Sequence, residues 1–385
     1  MNFIPNDISI ALLGDTVLAR PVVADSELRS LTGLRGLAAC WVMVGHYVRG
    51  PSLNENLAVV FFHSYIAVDL FMILSGFVLA MTYGARLFRP GRGQIQTYVL
   101  SRLARIFPLY ALTTLVCWLL VQAGIEVWGG PTASMGALAS NLLLVEIWGW
   151  PNDSLNAAGW SISTEWAANL LFPLFVLALL RSPLRRATLI AGASLLCLLA
   201  AALFYGQTGD NQPLAGAINW YSAPFALTRC TTEFMLGMFC WRLRSQARWT
   251  MALGLTPVLV IILLMIAPLM LTSSFDVVLV LLASLLVIGL SFERSIVSDL
   301  FGTPVVRWLG TISFSIYLWQ MPLLVLRPWL SRVFGSAELS YPELLPTLIT
   351  MGIVIGVSAL SLMFVEKPAQ QWIKRGFRRW KLVPA

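Results

Sequence analysis

The sequence predicts an all-α polytopic membrane protein with about ten transmembrane helices in a single bundle domain, and three observations carry that expectation. Of its 385 residues, 58% are hydrophobic and 11% are charged, against about 25% charged in ordinary soluble domains. Apolar runs recur almost end to end, many of them long enough for the roughly 20 residues that a helix needs to cross a bilayer. The runs are continuous and Leu-rich rather than alternating. Because lipid offers no partner to a backbone N–H or C=O, each span must satisfy its own, and the pattern favours helices over a barrel.

The runs fall at residues 31–50, 57–83, 106–125, 160–180, 187–205, 220–241, 249–271, 275–291, 308–329 and 343–365. Basic residues follow the second run (Arg86, Arg89, Arg92, Arg102, Arg105), the fourth (Arg181, Arg185, Arg186) and the sixth (Arg242, Arg244, Arg248). The same holds after the eighth (Arg294, Arg307) and the tenth (Lys367, Lys374, Arg375, Arg378, Arg379, Lys381). Every basic loop follows an even-numbered run, so ten spans with both termini in the cytoplasm satisfy the positive-inside rule. The net charge of +8 then reads as a topology signal, and no nucleic-acid partner is expected. Residues 134–150 are apolar enough to tempt an extra crossing. A crossing there would place Arg181, Arg185 and Arg186 outside, so the stretch is expected to be re-entrant or interfacial on the outer side.

Residues 1–29 read as a cytoplasmic extension, because Asp7 and Asp15 flank the short apolar stretch and no basic region precedes it as in a signal peptide. Residues 30–366 form the membrane domain and 367–385 a basic cytoplasmic tail. The five cysteines (Cys40, Cys117, Cys197, Cys230, Cys240) lie in or beside apolar runs and read as small apolar side chains rather than a disulfide framework.

Ionisable groups inside spans cost at least about 2.5–3.5 kcal/mol at mid-membrane on insertion scales, so each needs a reason. Arg35 and His46 are separated by ten residues in the first run. Eleven steps of about 100° return almost to the starting angle, over a rise of roughly 16 Å. Both side chains therefore share one face, Arg35 toward the cytoplasmic end and His46 toward the outer end. Glu165 lies a few residues inside the outer end of the fourth run, at the depth expected for His46. A carboxylate there would orient an imidazole acting as general base on a hydroxyl. Asp69, in the second run with Ser75, is the alternative orienting group. Arg229 and Glu233 are spaced to pair as helix glue. His63, the other histidine, has no charged partner at helical spacing and ranks behind His46.

The segments LTGLRGLAACWVMVGHY, AVDLFMILSGFVLA, SRLARIFPLY, WSISTEW, ISFSIYLWQMPLL and FVEKPAQQW, in that order over residues 31–372, resemble the motifs of the acyltransferase-3 family of integral membrane acyltransferases. The resemblance implies that Arg35 and His46 are the family's signature pair. It implies acyl-CoA, usually acetyl-CoA, as a cytoplasmic donor substrate with no resident cofactor or metal, and an O-acetyltransferase-type reaction on a glycan or glycolipid acceptor. In that scheme His46, Glu165 and Asp69 are catalytic, while Arg35, Arg102 and Arg105 hold the donor. Trp160, Ser163, Tyr317 and Gln320 contribute to substrate binding. Gln320 stands where the family commonly has histidine. The bilayer is the third expected partner, and a bacterial inner membrane the expected location. A transporter or flippase for a glycan or acyl carrier is the rival class, disfavoured because the halves show no matching broken helices.

Overall fold

The computed structural model describes residues 28–48, 55–87, 93–149, 154–205, 217–218, 221, 224–334 and 344–381. Residues 1–27 of the expected N-terminal extension, and all but 217 and 218 of the stretch 206–219 between the fifth and sixth runs, lie outside the described residues. Among those residues every regular element is helical. In chain order the helices are α1 (Arg29–Tyr47), α2 (Glu55–Phe62), α3 (Ile66–Leu87), α4 (Gln94–Gln122), α5 (Met135–Leu142), α6 (Gly159–Phe175), α7 (Leu184–Tyr205) and α8 (Phe225–Gln246). There follow α9 (Thr256–Leu269), α10 (Asp276–Leu290), α11 (Ile296–Phe301), α12 (Pro304–Leu323), α13 (Leu326–Phe334), α14 (Leu344–Ser361) and α15 (Lys367–Lys381).

Five helices are long and apolar enough to cross a membrane: Val59–Leu87, Gln94–Gln122, Gly159–Arg181, Leu184–Phe204 and Leu344–Gly376. Two bent pairs raise the count to seven if each is one span: Arg248–Gly254 with α9, bent by 72°, and α12 with α13, bent by 65°. The expected ten are thus not all recovered by length and composition. The shortfall has a physical pattern. Run 275–291 forms only the 15-residue α10. Runs 31–50 and 220–241 became α1 and α8, whose hydropathy is lowered by Arg35 and His46 in one and by Arg229, Glu233, Arg242 and Arg244 in the other. At α5, residues 135–142 make eight residues of helix. That is about 12 Å, far short of a crossing.

Two close helix crossings organise the bundle, α3 on α8 and α1 on α12. Both are made possible by missing side chains. A Cβ at Gly237 of α8 would collide with the Ile73 carbonyl oxygen of α3, and one at Gly76 of α3 with that of Phe234. At the other crossing Gly36 meets Gly310 and Gly310 meets the Thr32 carbonyl. Small residues at such points let backbones touch, which matters where water supplies no hydrophobic force between helices.

Tertiary hydrogen bonds sort the helix ends into two groups. At one end Ser30 of α1 reaches the Leu290 carbonyl that ends α10 and Glu293 just beyond it, Arg244 reaches Ser291, and Arg242 reaches the Leu179 carbonyl. Arg29, Arg86, Arg181 and Arg294 belong to this basic end by their positions at helix termini. At the distal end Tyr47 donates to the Gln320 carbonyl, Asn156 to that of Leu318, and Trp148 to that of Ser163. The segment between α5 and α6 is therefore tied into the distal end of the bundle.

If backbone contact at the α3–α8 crossing holds the bundle, Gly237→Ala should lower stability by about 1–3 kcal/mol through overpacking. Gly352→Ala, whose added methyl meets nothing within 4 Å, should raise it by roughly 0.5–1 kcal/mol through the restricted unfolded chain. Thermal unfolding of the two variants in detergent should move in opposite directions.

Candidate active site

A cavity of about 450 Å³ lies between α1, α3, α4, α6 and α12. Its wall is mostly apolar, with Leu31, Leu74 and Val78 among the lining residues, and its polar groups are few: Arg35, Ser75, Arg102, Arg105, Ser161, Glu165 and Tyr317 stand out. Arg102 and Arg105 are three residues apart on α4 and so point the same way. Arg35 donates through Nη2 to the Gly310 carbonyl at 3.0 Å, at the crossing where α1 and α12 touch without intervening side chains.

Each arginine of α4 is held by a carboxylate on another helix. Arg102 Nη2 lies 3.0 Å from Glu165 Oε1, and its Nε donates to Asn169 Oδ1 at 3.2 Å. Ser75 donates to the same Glu165 oxygen at 2.9 Å. Arg105 Nη1 lies 3.0 Å from Glu366 Oε2, and Ser315 donates to the other oxygen of Glu366. Glu366 ends a π-turn, Leu362–Glu366, between α14 and α15. That turn inserts an extra residue per revolution and puts Glu366 on the buried side with Ser361, five residues earlier, while Met363 and Phe364 stay exposed.

His46 takes no part in these pairs and does not line the cavity. A Cβ at the neighbouring Gly45 would meet Ser64, which sets His46 level with the start of α3. Arg35 is eleven residues below His46 on α1 and Ser75 eleven residues below Ser64, in each case roughly 16 Å. Arg35, Ser75, Glu165 and Arg102 form one layer, and the imidazole stands on another. The expected Glu165–His46 pairing is corrected accordingly: α6 starts at Gly159, and Glu165 projects onto Ser75 and Arg102, at a depth that counting from run ends did not reveal.

Asp69 also has another partner. Arg229 grips it with Nε at 2.7 Å and Nη2 at 2.5 Å, both residues essentially without exposure. Glu233 lies 3.7 Å from the same Nε, so the expected pairing along α8 exists but is secondary to the one across to α3. Trp160 stacks over this guanidinium at 5.7 Å. Ser163 is buried and donates to the Leu144 carbonyl. Tyr317 reaches the cavity, sharing a hydrogen bond of 2.7 Å with Ser161. Gln320 is buried next to it, donating to the Tyr317 carbonyl while its own carbonyl holds Tyr47. His63, which lacked a charged partner in sequence, finds one in space: Asp276 at 2.7 Å, which also accepts from Tyr65 and the Ile218 amide. Glu366 and Ser315 were assigned no role from sequence, although both sit in the quoted motifs FVEKPAQQW and ISFSIYLWQMPLL.

The cavity gathers side chains from five of the six quoted motifs, and Glu366 of the sixth anchors Arg105. The profile of the acyltransferase-3 family, described as an acyltransferase domain, matches residues 28–365, and the chain belongs to that family. It is 31% identical over 175 residues to the acyltransferase MdmB of Streptomyces mycarofaciens, covering 42% of each chain. It is 24% identical over 370 residues to the peptidoglycan O-acetyltransferase OatA of Listeria monocytogenes, covering 90% of this chain and 56% of that protein. A putative peptidoglycan O-acetyltransferase of Bacillus subtilis, YrhL, gives 24% over 377 residues, 91% of this chain and 56% of the relative. The chain thus spans about half the length of these relatives. No solved structure matches it. The apolar helices and the family together make it an integral membrane protein.

Removing one member of a buried ion pair leaves the other charge uncompensated, at a cost of about 3–5 kcal/mol. Asp69→Asn should therefore lower the thermal stability of the detergent-solubilised protein sharply. Arg86→Ala, at the exposed end of α3, should leave it within about 0.5 kcal/mol.

Proposed function

We propose that the chain transfers an acyl group, acetyl in the first instance, from acyl-CoA to a hydroxyl of a cell-envelope glycan or glycolipid. The observation that carries this reading is the cavity, in which three guanidinium groups, one carboxylate and a few hydroxyls interrupt a mostly apolar wall in a member of an acyltransferase family. The basic end is cytoplasmic by the positive-inside rule, and the bacterial inner membrane is the natural location. The two O-acetyltransferase relatives support acetyl as the group and an envelope glycan as the acceptor.

In the proposed reaction the donor enters from the basic end. A guanidinium has five N–H donors, and the hydrogen bonds to Glu165 and Asn169 account for two on Arg102. Arg102 and Arg105 thus have capacity for the donor's anionic groups, for which planar guanidinium is well suited. The pantetheine arm lies along the apolar wall beside Arg35, bringing the thioester toward Ser161 and Tyr317 at the far side of the cavity. The acceptor approaches from the distal end, where His46 removes its hydroxyl proton. The new C–O bond forms as the C–S bond breaks, and the proton taken by His46 returns to the departing thiolate. Glu165 acts on the donor side, as the anchor of Arg102 and Ser75.

Purified protein in detergent, with acyl-CoA and a glycan but no ion gradient, tests the reading, because a transporter would do nothing there. His46→Ala should lower transfer by about 10²–10⁴ while acyl-CoA still binds. Glu165→Gln should instead weaken acyl-CoA binding. His63→Ala should lower thermal stability, since it strands buried Asp276. Transfer by His46→Ala at the wild-type rate would refute the assigned base.

A further inference from the structure

The residues after α4 form a built loop on the distal side. Gln122 donates to the Ala133 carbonyl at 3.1 Å, joining the two ends of the loop, and Ile125 donates back to Leu120. Within it the Gly130 amide donates to the Val127 carbonyl at 3.1 Å, closing a β-turn with Trp128 and Gly129 at its centre. Gly129 has φ +94°, the positive value that a type II turn demands at its third residue. The turn divides two apolar neighbours. Val127 is buried, whereas Trp128 remains 39% exposed.

Trp128 is not presented to empty solvent alone. Its ring centroid stands 6.3 Å from that of His46, with the planes at 71°. Two rings so nearly perpendicular make a corner with a partly exposed indole as floor and an imidazole as wall. A pyranose has the matching shape: C–H groups on its faces, which pack against aromatic rings, and hydroxyls around its rim. A sugar lying on the indole turns a rim hydroxyl toward the imidazole. Exposed tryptophans also occur as interfacial belts, and Trp249, Trp329 and Trp372 are more exposed than Trp128. Trp128 differs in being set by a turn against the proposed base.

We propose that Trp128 and His46 form the floor and wall of an acceptor subsite for a pyranose ring, an inference that rests on the glycan acceptor proposed above. The acceptor hydroxyl is placed at His46 by stacking on Trp128.

The test uses the full-length protein in detergent as wild type, Trp128→Ala and Trp128→Phe. Saturation-transfer NMR with an N-acetylglucosamine tetramer and a maltooligosaccharide reads sugar binding, and titration with acetyl-CoA reads the donor side. Acyl transfer to whichever sugar binds gives KM and kcat. The subsite requires saturation transfer to at least one sugar by the wild type, its loss in Trp128→Ala, a KM raised about tenfold or more, and an unchanged acetyl-CoA affinity. Trp128→Phe, which keeps a flat apolar face, should retain most of the binding. Sugar binding by a wild-type protein that transfers no acyl group would support the subsite while removing the proposed reaction. Absence of binding to either sugar, equal binding by Trp128→Ala, or a parallel loss of acetyl-CoA affinity would overturn the subsite.

Discussion

A charge inside a membrane bundle has neither water nor high dielectric to stabilise it, and the effective penalty for burying one is several kcal/mol even after relaxation. The rest of this structure is arranged around meeting that constraint with carboxylate partners brought from other helices. Arg229 of α8 takes Asp69 of α3, His63 takes Asp276 of α10, Arg102 of α4 takes Glu165 of α6, and Arg105 takes Glu366 beyond α14. Burial sorts the pairs into two kinds. The first two have side chains at most 2% exposed and act as ties. The other two leave their arginines 17% and 30% exposed, on the wall of the cavity. A pair whose arginine is partly open to a cavity has hydrogen-bonding capacity to offer a ligand, whereas a fully enclosed one has only cohesion.

The ties also explain why the cavity keeps its shape. α3 bears Asp69 on the side facing α8, at the same crossing where Gly76 and Gly237 bring the two backbones into contact. With that side fixed, Ser75 is left to the cavity side of α3, within reach of Glu165. On the opposite wall the α1–α12 crossing leaves the Gly310 carbonyl open to Arg35. The π-turn at Leu362–Glu366 supplies the last piece, since only the extra residue puts Ser361 and Glu366 on one side, with Trp319 bonded to the first and Arg105 to the second.

Much of this was legible in the sequence, and the remainder was not for definite reasons. Continuous apolar runs announced a helical membrane protein, and every one of the ten runs contains helix. The motifs marked Arg35, Ser75, Arg102, Glu165 and Tyr317, all of which reach one cavity. Depth was the illegible quantity. Counting from run ends placed Glu165 beside His46, because nothing in sequence shows that the stretch before α6 folds into the distal end and lowers the helix start. Partnership across helices was equally hidden. Asp69 and Arg229 are 160 residues apart, and His63 and Asp276 are 213 apart, so spacing rules confined to one helix could find only Arg229 with Glu233.

The separation of the arginine layer from His46 gives α1 a particular part in the proposed reaction. A thioester held by its phosphates at one end of the bundle must be presented to a hydroxyl arriving from the other, and moving a polar carrier through apolar surroundings is costly. One unbroken helix, α1, spans the interval instead. Arg35 and His46 share a face of α1, eleven residues and roughly 16 Å apart, so the flexible arm of the donor covers the distance while the protein stays still. That arrangement works only if α1 does not slide. Ser30 bonded to Glu293 at its start, the glycine contact with α12 along its length and Tyr47 bonded to Gln320 at its end hold it at three heights. A shift of one helical turn, about 5.4 Å, would break all three at once, so the two layers are locked in register by the same helix that carries them.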